Sequence, residues 1–191
     1  MGMGRVTRRQ LTNLLGACGV VATLGGLAFG LPALNHSLPA DRSVPSDRPY
    51  DVGGGVSVVP PPGARIDLSE TRPADDDGTV LFRLGPVRYL ISVQSFDGTL
   101  RSALDRLRGR ITGTPGYQVT GTELAVATEG GLEGLQGGYS GPGRGGRYAV
   151  FVADGRTIEV TVSGADLDLG RFLPAIDVST RTLRYSAEPP G

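Results

Sequence analysis

The sequence predicts an α+β fold in which an antiparallel β-sheet packs against two amphipathic helices, preceded by an N-terminal hydrophobic helix. Short runs rich in β-branched and aromatic residues, separated by glycine turns, predict the sheet. Two segments with apolar residues at three- and four-residue spacing predict the amphipathic helices. A run with no charged side chain between Arg9 and Asp41 predicts the hydrophobic helix.

The N-terminal element comprises residues 1–37 and has three interpretations. Residues 11–34 are long enough to cross a membrane as a helix, and the positive flank before them places the N-terminus inside and the rest of the chain outside. The pair Arg8 and Arg9 resembles a twin-arginine export signal. The first two interpretations of residues 1–37 are therefore an uncleaved single-pass membrane anchor and an export signal that is cleaved to release the protein. Acylation of Cys18, as in a lipoprotein, is the third interpretation.

The rest of the chain divides into a linker, one domain and a tail. Residues 38–55 are rich in proline and glycine and are predicted to form an extended extracytoplasmic linker. Residues 56–186 are predicted to form the extracytoplasmic domain, and residues 187–191 a disordered tail.

Five strands are predicted around the first amphipathic helix, three before it and two after it. Val56 to Val59 ends at three prolines, and the segments 79–84 and 87–96 flank a Gly-Pro turn. Segments 117–128 and 132–139 follow the helix, and the second of them is weakened by its glycines.

The first amphipathic helix is predicted from Thr99, as its N-cap, to Ile111. Its apolar residues recur at positions three, four and seven apart, and arginines occupy the other face. The second helix is outlined by Leu169 and Ile176, with Pro174 expected to interrupt it or to mark an irregular start.

A hairpin between the helices is the clearest local signal. Residues 147–153 and 156–162 alternate around Asp154-Gly155, a pair that tolerates the positive φ angles of a two-residue turn. The stretch from Gly137 to Gly146 before it is predicted to be a flexible loop between antiparallel strands.

Composition excludes several classes of function. The segment after Ala40 has 16 arginines and 19 acidic residues, a formal charge of −3, which does not favour nucleic-acid binding. The single cysteine, Cys18, and the single histidine, His36, both precede the domain. We therefore expect no catalytic residue, no cofactor and no metal site of the His/Cys type in it. Carboxylates alone could still form a hydrolase site.

Two glycine-containing motifs lack the neighbouring elements or residues that their usual functions require. Residues 141–146 match G-x-G-x-x-G, but a strand follows them where a dinucleotide site needs a helix. Residues 138–142 approach the G-x-S-x-G nucleophile elbow, but Pro142 replaces the last glycine and the domain has no histidine.

The order of elements resembles the PsbP-like superfold, which includes actinobacterial LpqN-type lipoproteins. The resemblance covers residues 56–185 and rests on the Val56-Ser57-Val58-Val59-Pro60 strand, the helix from Thr99 to Ile111, and the hairpin leading to the last helix. The arrangement is also similar to the C-terminal domain of type VII secretion-associated membrane proteins. The resemblance implies a non-enzymatic adaptor that binds proteins or envelope components, and it carries over no fixed functional residues.

The sequence therefore predicts an exported, membrane-tethered binding or accessory module of the cell envelope. Its partners are the membrane, through residues 11–34, and an unidentified envelope protein or lipid. Exposed arginines are the candidate partner-binding residues, namely Arg101, Arg108, Arg144 and Arg147. A carrier of lipid or another small ligand, with a pocket between the first amphipathic helix and the sheet, is the main alternative. A carboxylate-only envelope hydrolase is the lesser one.

Overall fold

The computed structural model describes residues 41–187, which form twelve strands and two helices. The predicted N-terminal helix, the export arginines Arg8 and Arg9, and the tail from residue 188 lie outside the described residues. Neither helix within them is long and apolar enough to cross a bilayer. The elements are β1 (Asp41–Ser43), β2 (Tyr50–Gly53), β3 (Val56–Val58), β4 (Arg65–Asp67), β5 (Arg72–Pro73), β6 (Gly78–Leu84), β7 (Val87–Ser95), α1 (Leu100–Thr112), β8 (Gln118–Ala127), β9 (Glu133–Gly141), β10 (Arg144–Ala153), β11 (Arg156–Gly164), α2 (Asp166–Arg181) and β12 (Arg184–Tyr185).

The strands form one large and one small antiparallel sheet. The large sheet has the order β1-β4-β6-β7-β11-β10-β9-β8, with β5 paired to β6, and the small sheet has the order β12-β3-β2. The predicted α+β class with two packed helices is confirmed.

The two helices cover opposite faces of the large sheet. Alternate residues of a strand point to opposite faces. Tyr148 and Val150 of β10 belong to the core beneath α1, whereas Ala149 and Phe151 belong to the core that contains residues of α2 and the small sheet. We call these the α1 face and the α2 face.

Most of the predicted elements are confirmed. Thr99 caps α1, because its hydroxyl accepts a hydrogen bond from the Ser102 N–H. The β10–β11 hairpin turns at Asp154 and Gly155, whose φ angles are 43° and 73°. Both positive angles are those that the Asp-Gly pair predicts.

The predicted linker is wrong from Asp41 onward, because residues 41–55 are part of the folded unit. Strand β1 pairs with β4, and Arg65 donates two hydrogen bonds to the Asp41 carboxylate at 2.7 and 2.9 Å. Val52 of β2 is fully buried in the core. The prolines of this segment lie outside its strands, so they do not prevent pairing.

The glycine-rich stretch 137–146 is not a loop. It contributes to β9 and β10, joined by the two-residue turn at Pro142 and Gly143. Its glycines make room for aromatic rings on the neighbouring strands: a Cβ on Gly137 would meet Tyr148, and one on Gly146 would meet Tyr139. Packing, rather than flexibility, explains the glycines.

Helix α2 continues through Pro174, contrary to the expected interruption. Proline cannot donate the hydrogen bond to the carbonyl four residues earlier, which belongs to Gly170. Both Gly170 and Pro174 are exposed, so water can solvate the freed carbonyl while Leu169 and Ile176 stay buried.

Asp67 fastens β4 to β6 through a buried carboxylate. It accepts hydrogen bonds from the Ser69 hydroxyl at 2.5 Å and from the Arg83 Nε at 2.8 Å. The Ser69 hydrogen bond, followed by that from Arg83, lowers the pKa of Asp67 from 3.8 to about 2.

We expect this carboxylate to contribute a measurable acid dependence. Because its pKa is lower in the folded chain, the stabilisation is complete above about pH 4 and is lost as the pH falls towards 2. In urea unfolding between pH 5 and pH 2.5, Asp67→Asn should therefore lose less stability on acidification than the unmodified chain. Asp41→Asn, at a more exposed ion pair, is the matched control and should change the slope less. Equal slopes for all three proteins would contradict the assignment.

Candidate functional site

A groove runs between α2 and the β8–β9 end of the sheet, on the α2 face. Helix α2 contacts β7, β10 and β11, and it leaves the outer strands of this face open. Two cavities of about 280 and 290 Å³ lie along the groove, and Gln136 of β9 lines both. We call this feature the α2 groove.

The first cavity lies near the start of α2. Leu169 and Leu173 of the helix form one wall, and Thr122 and Leu124 of β8 form the other. Gly138 of β9 also lines it, and the lack of a side chain there keeps the floor low. The result is a small depression with both apolar and polar walls.

The second cavity lies near the end of α2. Val126, Phe151 and Thr180 line it, together with the polar side chains of Asp177 and Arg181. Phe151 lies across Gly134 of β9, where a Cβ would overlap its ring. Glycine in this position therefore allows an aromatic ring to form the floor.

An ion pair separates the two cavities. Both carboxylate oxygens of Asp177 accept hydrogen bonds from Arg147 Nη1, at 2.7 and 2.6 Å. Arg147 lines the first cavity and Asp177 lines the second. Their charges compensate each other, so the middle of the groove is polar but neutral.

Leu124 is one of four large apolar residues that are exposed among residues 41–187. Its side chain is 60% exposed, although it lies on a strand of the sheet. Leu167 is 92% exposed, but it lies in the first turn of α2 and lines neither cavity. An exposed apolar residue beside a concave surface is a feature of interaction sites.

The four predicted partner-binding arginines do not form one surface. Arg147 belongs to the α2 groove. Arg101 and Arg108 lie on α1, at the opposite face of the sheet, and Arg144 begins β10 after the tight turn. Arg101 is 4.0 Å from Asp105, and Arg108 is 2.6 Å from Glu123. Partner binding by these residues stays a prediction.

Two other arginines of α1 hold a buried carboxylate. The side chain of Glu159 on β11 is buried, with 5% exposed. Arg110 donates a hydrogen bond to one oxygen of the Glu159 carboxylate, and Arg106 lies 3.5 Å from the other oxygen. Arg106 also lies over the Phe96 ring, 4.9 Å from its centroid. These contacts fasten α1 to the sheet and give the arginines a structural role.

The space between α1 and the sheet is filled by side chains. Ala103, Leu104 and Leu107 of the helix pack against Tyr148 and Val150, and all five are at most 3% exposed. A lipid or small-ligand pocket was expected here for a carrier. The packed interface is evidence against that alternative at this position.

A third cavity, of about 600 Å³, lies beside the β2–β3 turn. Gly53, Gly54 and Gly55 line it, and all three have positive φ angles. Arg156 and Asp76 also line it, and their side chains are 3.3 Å apart. Among residues 41–187, no group of three potential metal ligands is close enough to hold an ion. The cavity is open to solvent, so we do not assign it a ligand.

The sequence did not indicate the α2 groove. Its parts come from β8, β9 and α2, and no local motif marks Leu124 or Gln136. One signal in the sequence could have indicated it. Alternate residues of a strand lie on the same face, so Leu124 and Val126 share a face of β8, and residues 124–127 carry no charge.

Comparison with known proteins gives structural likeness only. No family model and no curated protein matches the chain. The solution structure of PsbP from the cyanobacterium Synechocystis matches with a TM-score of 0.52 and 13% identity, over 75% of this chain and 95% of PsbP. PA94 of Pseudomonas aeruginosa, a protein of unknown function, matches at 0.48 and 16% identity, over 72% of this chain and all of PA94. LpqN of Mycobacterium tuberculosis, which is involved in cell envelope biogenesis, matches at 0.41 and 15% identity, over 76% of this chain and 90% of LpqN. The likeness to PsbP confirms the predicted resemblance at the level of the fold: residues 41–187 have a PsbP-like fold.

Proposed function

We propose that this protein is a non-enzymatic binding module of the bacterial cell envelope, and that it binds its partner through the α2 groove. The groove carries the proposal, because it combines two cavities with the exposed Leu124 and a neutral polar centre. Concave, partly apolar surfaces with a few fixed polar groups are typical of binding sites.

The non-enzymatic part of the proposal is supported by the side chains available. Residues 41–187 contain no histidine, cysteine or lysine, which are the common general bases and nucleophiles. The most deeply buried carboxylates of this unit, Asp67 and Glu159, are held by arginines in structural contacts. An adaptor needs a stable surface rather than a reactive group.

The location outside the membrane is supported by the N-terminal sequence. All charge before residue 11 is positive, and residues 11–34 have the length of a membrane-spanning helix. In this arrangement the segment holds the folded unit at the outer side of the cytoplasmic membrane. Cleavage of the segment would release the same module.

Single cysteines test the location and the surface together. In a Cys18→Ser background, Leu124→Cys and Leu167→Cys place one thiol in the groove or on the exposed side of α2. Intact native cells are treated with a membrane-impermeant crosslinker that joins thiols to amines. We expect both cysteines to react, and only the cysteine at position 124 to form a discrete adduct with another envelope protein.

The matched leucine positions give the control. Both side chains are exposed and apolar, so a difference between them reports the partner rather than reactivity. Unreactive thiols at both positions would contradict the location. The same adducts from both positions would contradict the groove.

A further inference from the structure

We propose that the partner segment is an extended β-strand that pairs with the free edge of β8 and carries apolar side chains at positions i and i+4. This inference rests on the proposed function and specifies the chemistry of the partner. It follows from three properties of the groove: an unpaired strand edge, the spacing of the two cavities, and the balance of charge.

The edge of β8 is available for backbone pairing. Within residues 41–187, β8 is the last strand of the large sheet and pairs with β9 alone. In an antiparallel pair, alternate residues direct their N–H and C=O groups away from the partner strand. These groups of β8 therefore face outward, and a further strand can accept and donate hydrogen bonds there.

An irregularity in β8 lies beside the first cavity, so the most regular backbone pairing is available from Leu124 onward. Thr120 pairs with Gly138 and Leu124 with Gln136, so three residues of β8 lie opposite the single residue Gly137. Such a bulge bends the strand and disrupts its edge. From Leu124 to Ala127 the register is regular again, and these four residues carry no charge.

The spacing of the cavities matches the repeat of an extended chain. The first cavity is lined by Thr122 and Leu124 of β8, and the second by residues 126–128 at the end of this strand. Their centres are thus about four residues apart, or about 13 Å along a strand. In an added strand, residues i, i+2 and i+4 point to the same face, so residues i and i+4 can enter the two cavities.

Charge complementarity favours an uncharged segment. The one charged residue of β8, Glu123, is neutralised by Arg108, and Arg147 neutralises Asp177 between the cavities. A charged residue at i+2 would lose hydration without gaining an unpaired partner, whereas serine or threonine could hydrogen-bond to Gln136 or to the ion pair. Arg181 is exposed at the rim and stays hydrated.

Synthetic peptides test the inference on the full-length protein in detergent. The probe is a fluorescent heptapeptide, Thr-Leu-Thr-Ser-Thr-Leu-Thr, which places two leucines and the serine on one face of a strand. A peptide of the same composition with its leucines three residues apart places them on opposite faces. A third copy of the probe carries N-methyl groups on alternate backbone amides, which removes the hydrogen-bond donors from one edge of its strand.

We expect fluorescence anisotropy to show binding of the probe that is at least tenfold tighter than that of either control peptide. The probe should slow hydrogen exchange in β8, and Leu124→Glu should weaken binding at least tenfold while Leu167→Glu leaves it unchanged. No binding, or equal binding of the three peptides, would overturn the inference. Concentration-dependent protection of β8 without peptide would also overturn it, because a second copy of the chain would then be the occupant.

The two proposals can fail separately. Adducts from Leu124→Cys in cells, combined with equal binding of the three peptides, would leave a binding groove whose partner is not an added strand. Selective binding of the probe without any adduct in cells would contradict the proposed function, and the edge would then be only a peptide-binding surface of the purified protein.

Discussion

Replacing Gly146 with alanine is expected to destabilise the folded unit by about 3 kcal/mol, because the new methyl group has no space. An ideal Cβ at this position would overlap the Val162 carbonyl oxygen and the ring of Tyr139. The ring cannot simply move away, since the Tyr139 hydroxyl is buried and donates a hydrogen bond to that carbonyl at 2.9 Å. Urea unfolding of the full-length protein, followed by circular dichroism, measures the change.

Gly109→Ala is the matched control and should have the opposite sign. Gly109 lies on the exposed side of α1, and an added Cβ would have no atom within 4 Å. Alanine is favoured over glycine inside a helix by about 0.8–1 kcal/mol. A similar loss of stability in both variants would show that Gly146 is not required by packing.

The contrast between these two glycines explains one limit of the sequence analysis. Glycine in a sequence signals both flexibility and close approach of another group, and the two meanings look the same in one chain. The stretch 137–146 was therefore predicted to be a loop. The rings that require its glycines lie on strands that are opposite in space, and only the register of β9 and β10 brings them together.

Local signals were sufficient where one segment decides its own conformation. The Asp154-Gly155 turn needs only two residues with positive φ angles, and α1 needs only its cap and its apolar spacing. Strand β1 was missed because its partner, β4, is distant in the sequence. The contact that holds β1 is made by Arg65, 24 residues after Asp41, and nothing in residues 41–55 indicates it.

The candidate site could not be predicted from the sequence, because it too depends on contacts between residues that are far apart in the chain. Arg147 was predicted to be a partner-binding residue, but its partner Asp177 is 30 residues away on α2. The groove between them depends on where α2 lies across the sheet. That position is set by buried contacts, such as the Tyr89 hydroxyl with Thr180 at 3.1 Å. Burial also raises the pKa of Tyr89 to about 12, so its hydroxyl keeps the proton well into the alkaline range.

Removal of both Arg106 and Arg110 is expected to destabilise the protein by about 2–4 kcal/mol. Glu159 lies on a central strand with 5% of its surface exposed, and these two arginines provide its compensating charge. A buried charge that loses its partners typically costs about 3–5 kcal/mol, and the partial exposure of the arginines places this case at the lower end. The measurement is urea unfolding of the Arg106→Ala/Arg110→Ala variant.

A third substitution separates the buried charge from lost packing. If the uncompensated carboxylate causes the loss, adding Glu159→Met to the double variant should restore most of the stability, because methionine fills similar space without charge. If lost contacts of the arginine side chains cause it, the triple variant should be no more stable than the double. Arg101→Ala on the same helix is the control, and it should change stability by less than about 0.5 kcal/mol, because its contact with Asp105 is exposed and 4.0 Å long. A large loss in this control would contradict the division of α1 into structural arginines and an arginine that is free to bind a partner.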